Sequence, residues 1–219
     1  MSGRDAPTRI ALRCLVVALL VLVGFWMTPA PAAAHRQKVA PVPAGAFLQP
    51  VDLGGAATTP VTDAFRHYLR PPQPRAYFPY RSAALRRANA TISILYSVTG
   101  NHPTVVLETV SIYRADGAQR YLRELRRALS RCGVRTDPTG RWSLLATGVA
   151  GRDSMLIRLQ QRTEDFGGRS IVQSTYIVVA RAGKAVVALA DIGWETGNGH
   201  PDIVRRLAGP AVQRARTAG

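Results

Sequence analysis

RSIVQSTYIVVARAGKAVVALADIG, residues 169–193, is the most informative stretch of this sequence. Two runs rich in β-branched and aliphatic residues, 169–181 and 185–193, are separated by only the three residues Ala-Gly-Lys. Such runs are typical of β-strands, and a short link that contains glycine predicts a hairpin between them. Because a parallel return would need a crossover of about a dozen residues or more, the two strands are expected to be antiparallel neighbours.

Four more strands and two main helices are predicted around this hairpin. The strands are expected at 91–98, 104–114, 141–149 and 154–163. The helices are expected at 117–131, with Asp116 as N-cap, and from 200 onward, with Gly209-Pro210 bending or ending the second one. Short helices are also predicted at 61–70 and 82–88. The order ββαββββα predicts an α+β fold, in which one antiparallel sheet of about six strands carries two helices.

The predicted helix 117–131 has two chemically different faces. At about 100° per residue its alanines, leucines and Tyr121 share one arc, and its arginines share the opposite arc with Glu124. Two interpretations of the arginine face stay open: it is a solvated surface, or it binds an anionic ligand. A nucleic-acid platform is disfavoured, because no aromatic side chains are interleaved with the arginines. The candidate ligand-binding residues are Arg120, Arg123, Arg127 and Arg131.

Cys132 follows this helix and falls on its apolar arc. A cysteine in that position packs as a small hydrophobic side chain, or it pairs with a cysteine of another chain in an oxidising compartment. Catalysis by a thiolate would need a nearby base, and the flanking sequence supplies none. Cys132 is therefore a candidate for intermolecular pairing as well as for packing.

The N-terminus has the three parts of a secretory signal peptide. Three arginines precede an uncharged apolar run at 14–27, and small residues at 28–34 end in the A-x-A arrangement that signal peptidase accepts. We expect cleavage after Ala34 and a secreted, extracytoplasmic protein. The alternative is an uncleaved N-terminal membrane anchor, although the apolar run is short against the roughly 20 residues that span a bilayer.

The predicted domain organisation has three parts. Residues 1–34 are the signal peptide, 35–80 form a tether rich in Pro, Ala and Gly with one short helix, and 81–219 form the domain. Loss of the leader would also remove Cys14, one of the two cysteines, so that no disulfide could form within the exported chain. The stability of the domain must then come from its core.

The chain is strongly basic. Its 29 lysines and arginines outnumber 13 aspartates and glutamates for a net charge of +16, and 27 of those cations are arginine. Together with abundant Ala, Val, Gly and Pro, the many arginines are typical of proteins encoded by GC-rich, actinobacterial-type genomes. A basic surface attracts anionic partners at long range. We therefore expect an anionic envelope ligand, whereas export excludes chromosomal nucleic acid.

No known catalytic or metal-binding motif occurs in the sequence. The four histidines lack zinc spacing, and there is no G-x-S-x-G, P-loop or G-x-G-x-x-G. We predict no catalytic residues, no metal and no cofactor. An envelope hydrolase with an unrecognised site is the alternative, and it would draw on Asp191, Glu195 or His102, with Trp194 beside the two carboxylates.

Several segments together resemble a known family. They are VSIYRADGAQRYLRELRRALSRCG, the Trp-led strand RWSLL, GRDSMLIRL and the hairpin YIVVARAGKAVVALA. In these segments the chain resembles the extracellular sensor domain of actinobacterial PknH-type serine/threonine kinases, a family that also includes stand-alone secreted proteins and lipoproteins.

The resemblance implies an antiparallel sheet with two helices and a cleft that receives a ligand. It also places Cys132, Asp153, Arg181 and Gly183 on positions typical of the family, none of which is a known catalyst. Further cysteines that form disulfides in family members are absent here, and we expect no signalling through an attached kinase domain. The expected function is that of a secreted, non-enzymatic ligand-binding or sensor-like domain of the cell envelope.

Overall fold

The protein is built around one antiparallel sheet of seven strands. Its structure is a computed structural model, which describes residues 41–56, 58–60, 80–97, 103–132 and 140–218. The strands are β1 (Thr58–Pro60), β2 (Arg86–Tyr96), β3 (Thr104–Tyr113), β4 (Arg141–Thr147), β5 (Ser154–Glu164), β6 (Ser170–Ala182) and β7 (Ala185–Asp191). Their spatial order is β1-β2-β3-β7-β6-β5-β4. The predicted α+β class is confirmed, and β1 is a strand that the sequence analysis did not find.

The hairpin of β6 and β7 lies at the centre of the sheet, as its apolar sequence requires. Ala182 pairs with Ala185 across a tight turn, in which Gly183 has φ 64°, a conformation that glycine adopts at little cost. β7 then pairs with β3 on its other side. Side chains on both faces of β7 are buried, so both faces of the sheet are covered there.

Two α-helices, α1 (Gly117–Cys132) and α2 (Pro201–Arg216), cover opposite faces of the sheet. Leu122, Leu125 and Leu129 of α1 share a core with Leu107 of β3. Residues of α2 share the other core with alternate β3 residues such as Val110. We call these two sides of the sheet the α1 face and the α2 face.

α2 is longer than predicted. Gly209-Pro210 was expected to bend or end it, but the helix continues to Arg216. Proline removes one backbone donor and normally disrupts a helix interior. Here the turns that follow it bury Ala211, Val212 and Ala215 against the α2 face, and this packing keeps the helix continuous.

β2 begins earlier than predicted. A short helix was expected at 82–88, but a 3-10 helix occupies Arg81–Leu85 and the strand starts at Arg86. The reason is long-range pairing, since Arg86 and Ala88 already face Tyr113 and Ile112 on β3. Tertiary pairing therefore overrides the local helical pattern of this segment.

Part of the expected tether belongs to the folded domain. Two 3-10 helices, Ala44–Ala46 and Pro50–Leu53, lie in the segment 35–60, and between them Phe47 and Leu48 are buried in the core beside α2. The tether prediction is thus corrected for these residues, because their apolar side chains complete the α2 face. We call residues 44–53 the N-terminal arm. The predicted signal peptide and the short helix at 61–70 lie outside the described residues.

Candidate functional site

The arginines of α1 point away from the sheet, as predicted. Arg123, Arg127 and Arg131 are exposed, whereas Leu122, Leu125 and Leu129 are buried. The helix begins directly after Asp116, whose carboxylate lies 3.6 Å from Arg120 and 3.4 Å from Arg123. The four candidate arginines therefore share one solvent-facing surface, which we call the α1 arginine face, and two of them share one carboxylate.

Cys132 is the last residue of α1, so the predicted helix extends to it. Its side chain lies outside the described part of the chain. Packing and intermolecular pairing of this thiol both stay predictions.

Asp191, a candidate of the hydrolase alternative, is fully buried at the end of β7. One of its oxygens accepts hydrogen bonds from the Thr104 hydroxyl and the Gly193 N–H, and the other accepts the His200 N–H at 3.0 Å. These contacts fix the loop that leads into α2. Both oxygens of the Asp191 carboxylate accept hydrogen bonds from backbone N–H groups or a hydroxyl group, so the role of this side chain is structural.

Two other hydrolase candidates are exposed, whereas Asp191 is buried. Glu195 and Trp194 lie in the exposed part of the loop that follows β7, and Trp194 keeps 40% of its surface exposed. His102 lies outside the described residues. Among the residues that the structure describes, no group of three or more His, Cys, Asp or Glu side chains is arranged to hold a metal ion.

Asp153 and Arg181, two of the family-typical positions, form a salt bridge. The Arg181 guanidinium donates to Asp153 Oδ2 from Nε at 2.9 Å and from Nη2 at 2.6 Å, and the Arg181 N–H donates to the Asp153 carbonyl. Ser154 closes the preceding turn by donating to the Gly151 carbonyl and accepting from the Ala150 N–H. The G-R-D-S segment thus joins the start of β5 to the end of β6 and has a structural explanation.

Glu108 is a buried carboxyl that the sequence analysis missed. It is fully buried on the α2 face of β3, under the N-terminal arm, where its Oε2 accepts the Leu48 N–H at 2.8 Å. Its Oε1 has no hydrogen-bond partner. Burial raises the pKa of Glu108 to about 8, and the nearby carboxylate of Asp52 adds to that rise. The only hint in the sequence was a charged residue inside the apolar run of β3.

A second group of arginines, also missed, lies on the α2 face of β4 and β5. Arg158 and Arg162 are on β5 with Gln160 between them, and Arg141 of β4 pairs directly with Gln160. We call these four residues the sheet arginine cluster. Their signal in the sequence is R-x-Q-x-R in a strand, since alternate residues of a strand share a face.

No protein-family model matches the sequence, and no curated protein matches it. A solved structure to which the chain is similar is the crystal structure of the extracellular domain of PknH from Mycobacterium tuberculosis. The similarity has a TM-score of 0.46 at 13% sequence identity and covers 78% of this chain and 91% of that one. The helices in the described part of the chain are all too short or too polar to span a bilayer.

Proposed function

We propose that this chain is an exported, non-enzymatic binding domain of the cell envelope, and that its ligand is an anionic polymer or small molecule. The proposal rests on the leader-like N-terminal sequence, on the net charge of +16 and on the geometry of α1. The α1 arginine face contacts the ligand, and the sensor-like role follows the family that the sequence resembles.

The observation that carries the proposal is the separation of the two faces of α1. The leucines of the apolar arc are buried in the core, whereas Arg123, Arg127 and Arg131 are exposed. Arg127 and Arg131 make no ion pair in the part of the chain that the structure describes. A long, exposed row of guanidinium groups suits the oxygens of a polyanion, which can accept two hydrogen bonds from each.

Asp116 does not block this surface. Its contacts with Arg120 and Arg123 join side chains that are more than 40% exposed on both partners. Ion pairs in such a setting contribute little free energy, because water screens them and both side chains lose freedom. A ligand oxygen can therefore replace the Asp116 carboxylate at either arginine.

The proposal is tested by measuring binding of the purified protein to poly(glycerol phosphate) and to heparin at low salt, with dextran as the neutral polymer. We expect binding to both anionic polymers, none to dextran, and a loss of affinity as salt rises. The variant R127Q/R131Q should bind at least five-fold more weakly than the parent protein.

The matched control is R152Q/R216Q, which removes two exposed arginines elsewhere and changes the net charge equally. If both double variants lose the same affinity, only the overall charge matters and the α1 arginine face is not a site. Absence of binding to either anionic polymer would overturn the anionic ligand itself.

A further inference from the structure

The sheet arginine cluster (Arg141, Arg158, Gln160 and Arg162) is a second concentration of positive charge, on the opposite side of the sheet from α1. Along β5, Met155, Ile157 and Leu159 enter the core beneath α1. The alternate residues Arg158, Gln160 and Arg162 therefore project from the α2 face. Because the two arginine groups lie on opposite faces of one sheet, each can be tested without the other.

α2 leaves this part of the sheet uncovered. The helix packs chiefly on β6 and β7, whereas the cluster lies on β4 and the second half of β5. Arg141 and Arg162 are exposed, and Arg158 and Gln160 are partly buried. The result is an open surface beside α2, with Arg158 and Gln160 at its floor and the other two arginines at its edges.

The arginines of the cluster have no carboxylate partner in the part of the chain that the structure describes. None of its three arginines makes an ion pair within the described residues, and Nε of Arg158 is buried without a hydrogen-bond partner. Glu164 follows on the same face of β5, at the end of the strand, and no ion pair joins it to Arg162. A buried Nε–H without an acceptor is costly, so an anion oxygen that reached it would supply the acceptor that the described residues lack.

The register of the strands places the three arginines next to Gln160 on one face of the sheet. Arg158 and Arg162 are four residues apart, which is about 13 Å along a strand. Arg141 pairs with Gln160, midway between them and about 5 Å across on the neighbouring strand. The backbone positions of the three arginines therefore flank Gln160 on one face of the sheet.

We propose that the sheet arginine cluster binds a tetrahedral oxyanion, the phosphate or sulfate group of a ligand. Such a group offers three or four oxygens to three guanidinium groups and the Gln160 amide, whereas a carboxylate offers only two. Ser143 and Tyr176 pair with Arg158 from the two neighbouring strands and add hydroxyl groups beside it. The anion is either free or a substituent of a polymer.

The test is a titration of the purified protein with inorganic phosphate, with poly(glycerol phosphate) and with acetate, followed by NMR at the Arg158 side-chain Nε–H signal. Phosphate or the polymer should shift this signal saturably, and acetate should not. Binding of both probes indicates that a free anion suffices, whereas binding of the polymer alone indicates a polymer substituent. Either result supports the site.

Two variants decide whether Arg158 holds the anion. Because these variants are compared by isothermal titration calorimetry, the comparison does not need the Arg158 signal. R158Q should weaken binding at least ten-fold. R152Q, which removes an exposed arginine in the turn before β5, should weaken it less than two-fold for the same change in charge. R158M keeps the apolar stem of the side chain and should remain folded. A loss of binding in R158M would therefore come from the missing guanidinium and not from misfolding. Equal losses in R158Q and R152Q, equal binding of acetate and phosphate, or no shift with either phosphate probe would overturn the proposal.

These results are separate from the test of the α1 arginine face. The variant R127Q/R131Q should leave the phosphate-induced shift of the Arg158 signal unchanged, because α1 lies on the other side of the sheet. A phosphate site that persists in this variant, while heparin binding falls, would establish two sites. Loss of the shift in R127Q/R131Q would show that the sheet arginine cluster does not bind by itself.

Discussion

The backbone N–H of Leu48 donates a 2.8 Å hydrogen bond to the carboxyl group of Glu108, 60 residues further along the chain. This contact ties the N-terminal arm to the centre of the sheet. Both residues are buried, and the second oxygen of Glu108 has no partner. A carboxyl group in such surroundings favours its neutral form, because the charged form would be poorly solvated.

Glu108 makes stability depend on pH. Burial raises the pKa of Glu108 in the folded protein to about 8, against 4.5 for a solvent-exposed glutamate in an unfolded chain. Between those values the folded state keeps a proton that the unfolded state has released, so stability should fall as pH rises from about 5 to 8. The expected slope is up to about 1.4 kcal/mol per pH unit, measured by urea unfolding.

The variants E108Q and E164Q separate this effect from the rest of the protein. Glutamine at 108 does not titrate and can still accept the hydrogen bond from the Leu48 N–H. The unfolding free energy of E108Q should therefore vary less between pH 5 and 8 than that of the parent protein. Glu164 is exposed, and E164Q should keep the slope of the parent protein. A slope that is unchanged in E108Q would contradict the assignment.

Asp52 clamps the N-terminal arm to α2. Its carboxylate accepts hydrogen bonds from Arg214 at 3.0 and 3.2 Å and from the Gln49 N–H at 2.9 Å. The bond with Arg214 lowers the pKa of Asp52 below 3.8. The ionised Asp52 therefore stabilises the folded state fully at pH values above its pKa in the unfolded chain. This stabilisation is lost as the pH falls through the lower pKa that Asp52 has in the folded protein. D52N should cost about 1 kcal/mol near neutral pH and less in acid.

Hydrogen exchange reports on the arm itself. In D52N the Leu48 amide should exchange faster, because the arm loses its link to α2. The same variant removes a negative charge near Glu108, so the pKa of Glu108 should fall. Unchanged exchange at Leu48 would show that the apolar contacts of Phe47 and Leu48 hold the arm without the clamp.

Asp191 should behave as a structural residue. Its carboxylate accepts from Thr104, Gly193 and His200, and D191N would place an amide group where acceptors are needed. We expect a loss of about 2–4 kcal/mol in unfolding free energy. A stable D191N protein that had lost a measurable hydrolytic activity on envelope esters or polymers would instead favour the hydrolase alternative.

Gly199 is required by the close approach of the loop before α2 to the end of β7. A Cβ at this position would lie 2.1 Å from the Asp191 carbonyl oxygen, which is far inside contact distance. G199A should therefore lower the melting temperature by several degrees or prevent folding. G45A is the control, since a Cβ there meets nothing within 4 Å, and its melting temperature should stay within about 2 °C of the parent value.

The strand and helix segments were largely predictable from the sequence. The hairpin at 169–193 is marked by two runs of β-branched and aliphatic residues around a short link with glycine. The helix after Asp116 is marked by apolar residues that recur every three or four positions. Both patterns can be seen in a short stretch of sequence. The start of β2 at Arg86 and the continuation of α2 through Pro210 were not predictable in this way. In both places packing against a distant part of the chain outweighs the local preference.

The α1 arginine face could be predicted because all of its members lie on one helix. The sheet arginine cluster could not, because Arg141 joins Arg158 and Arg162 only through the pairing of β4 with β5. The same holds for Glu108, whose burial depends on an arm 60 residues before it in the chain. Residues that meet only across strands leave no spacing in the sequence that would reveal them.

The sequence by itself determined the antiparallel sheet, the two-faced helix and the excess of positive charge, since each follows from local periodicity or from composition. The tertiary structure decided the order of the strands, the docking of the N-terminal arm on Glu108 and the placement of two arginine groups on opposite faces of the sheet. The physical reason is that burial and charge proximity depend on long-range pairing, whereas helical and strand periodicity depends on neighbours along the chain.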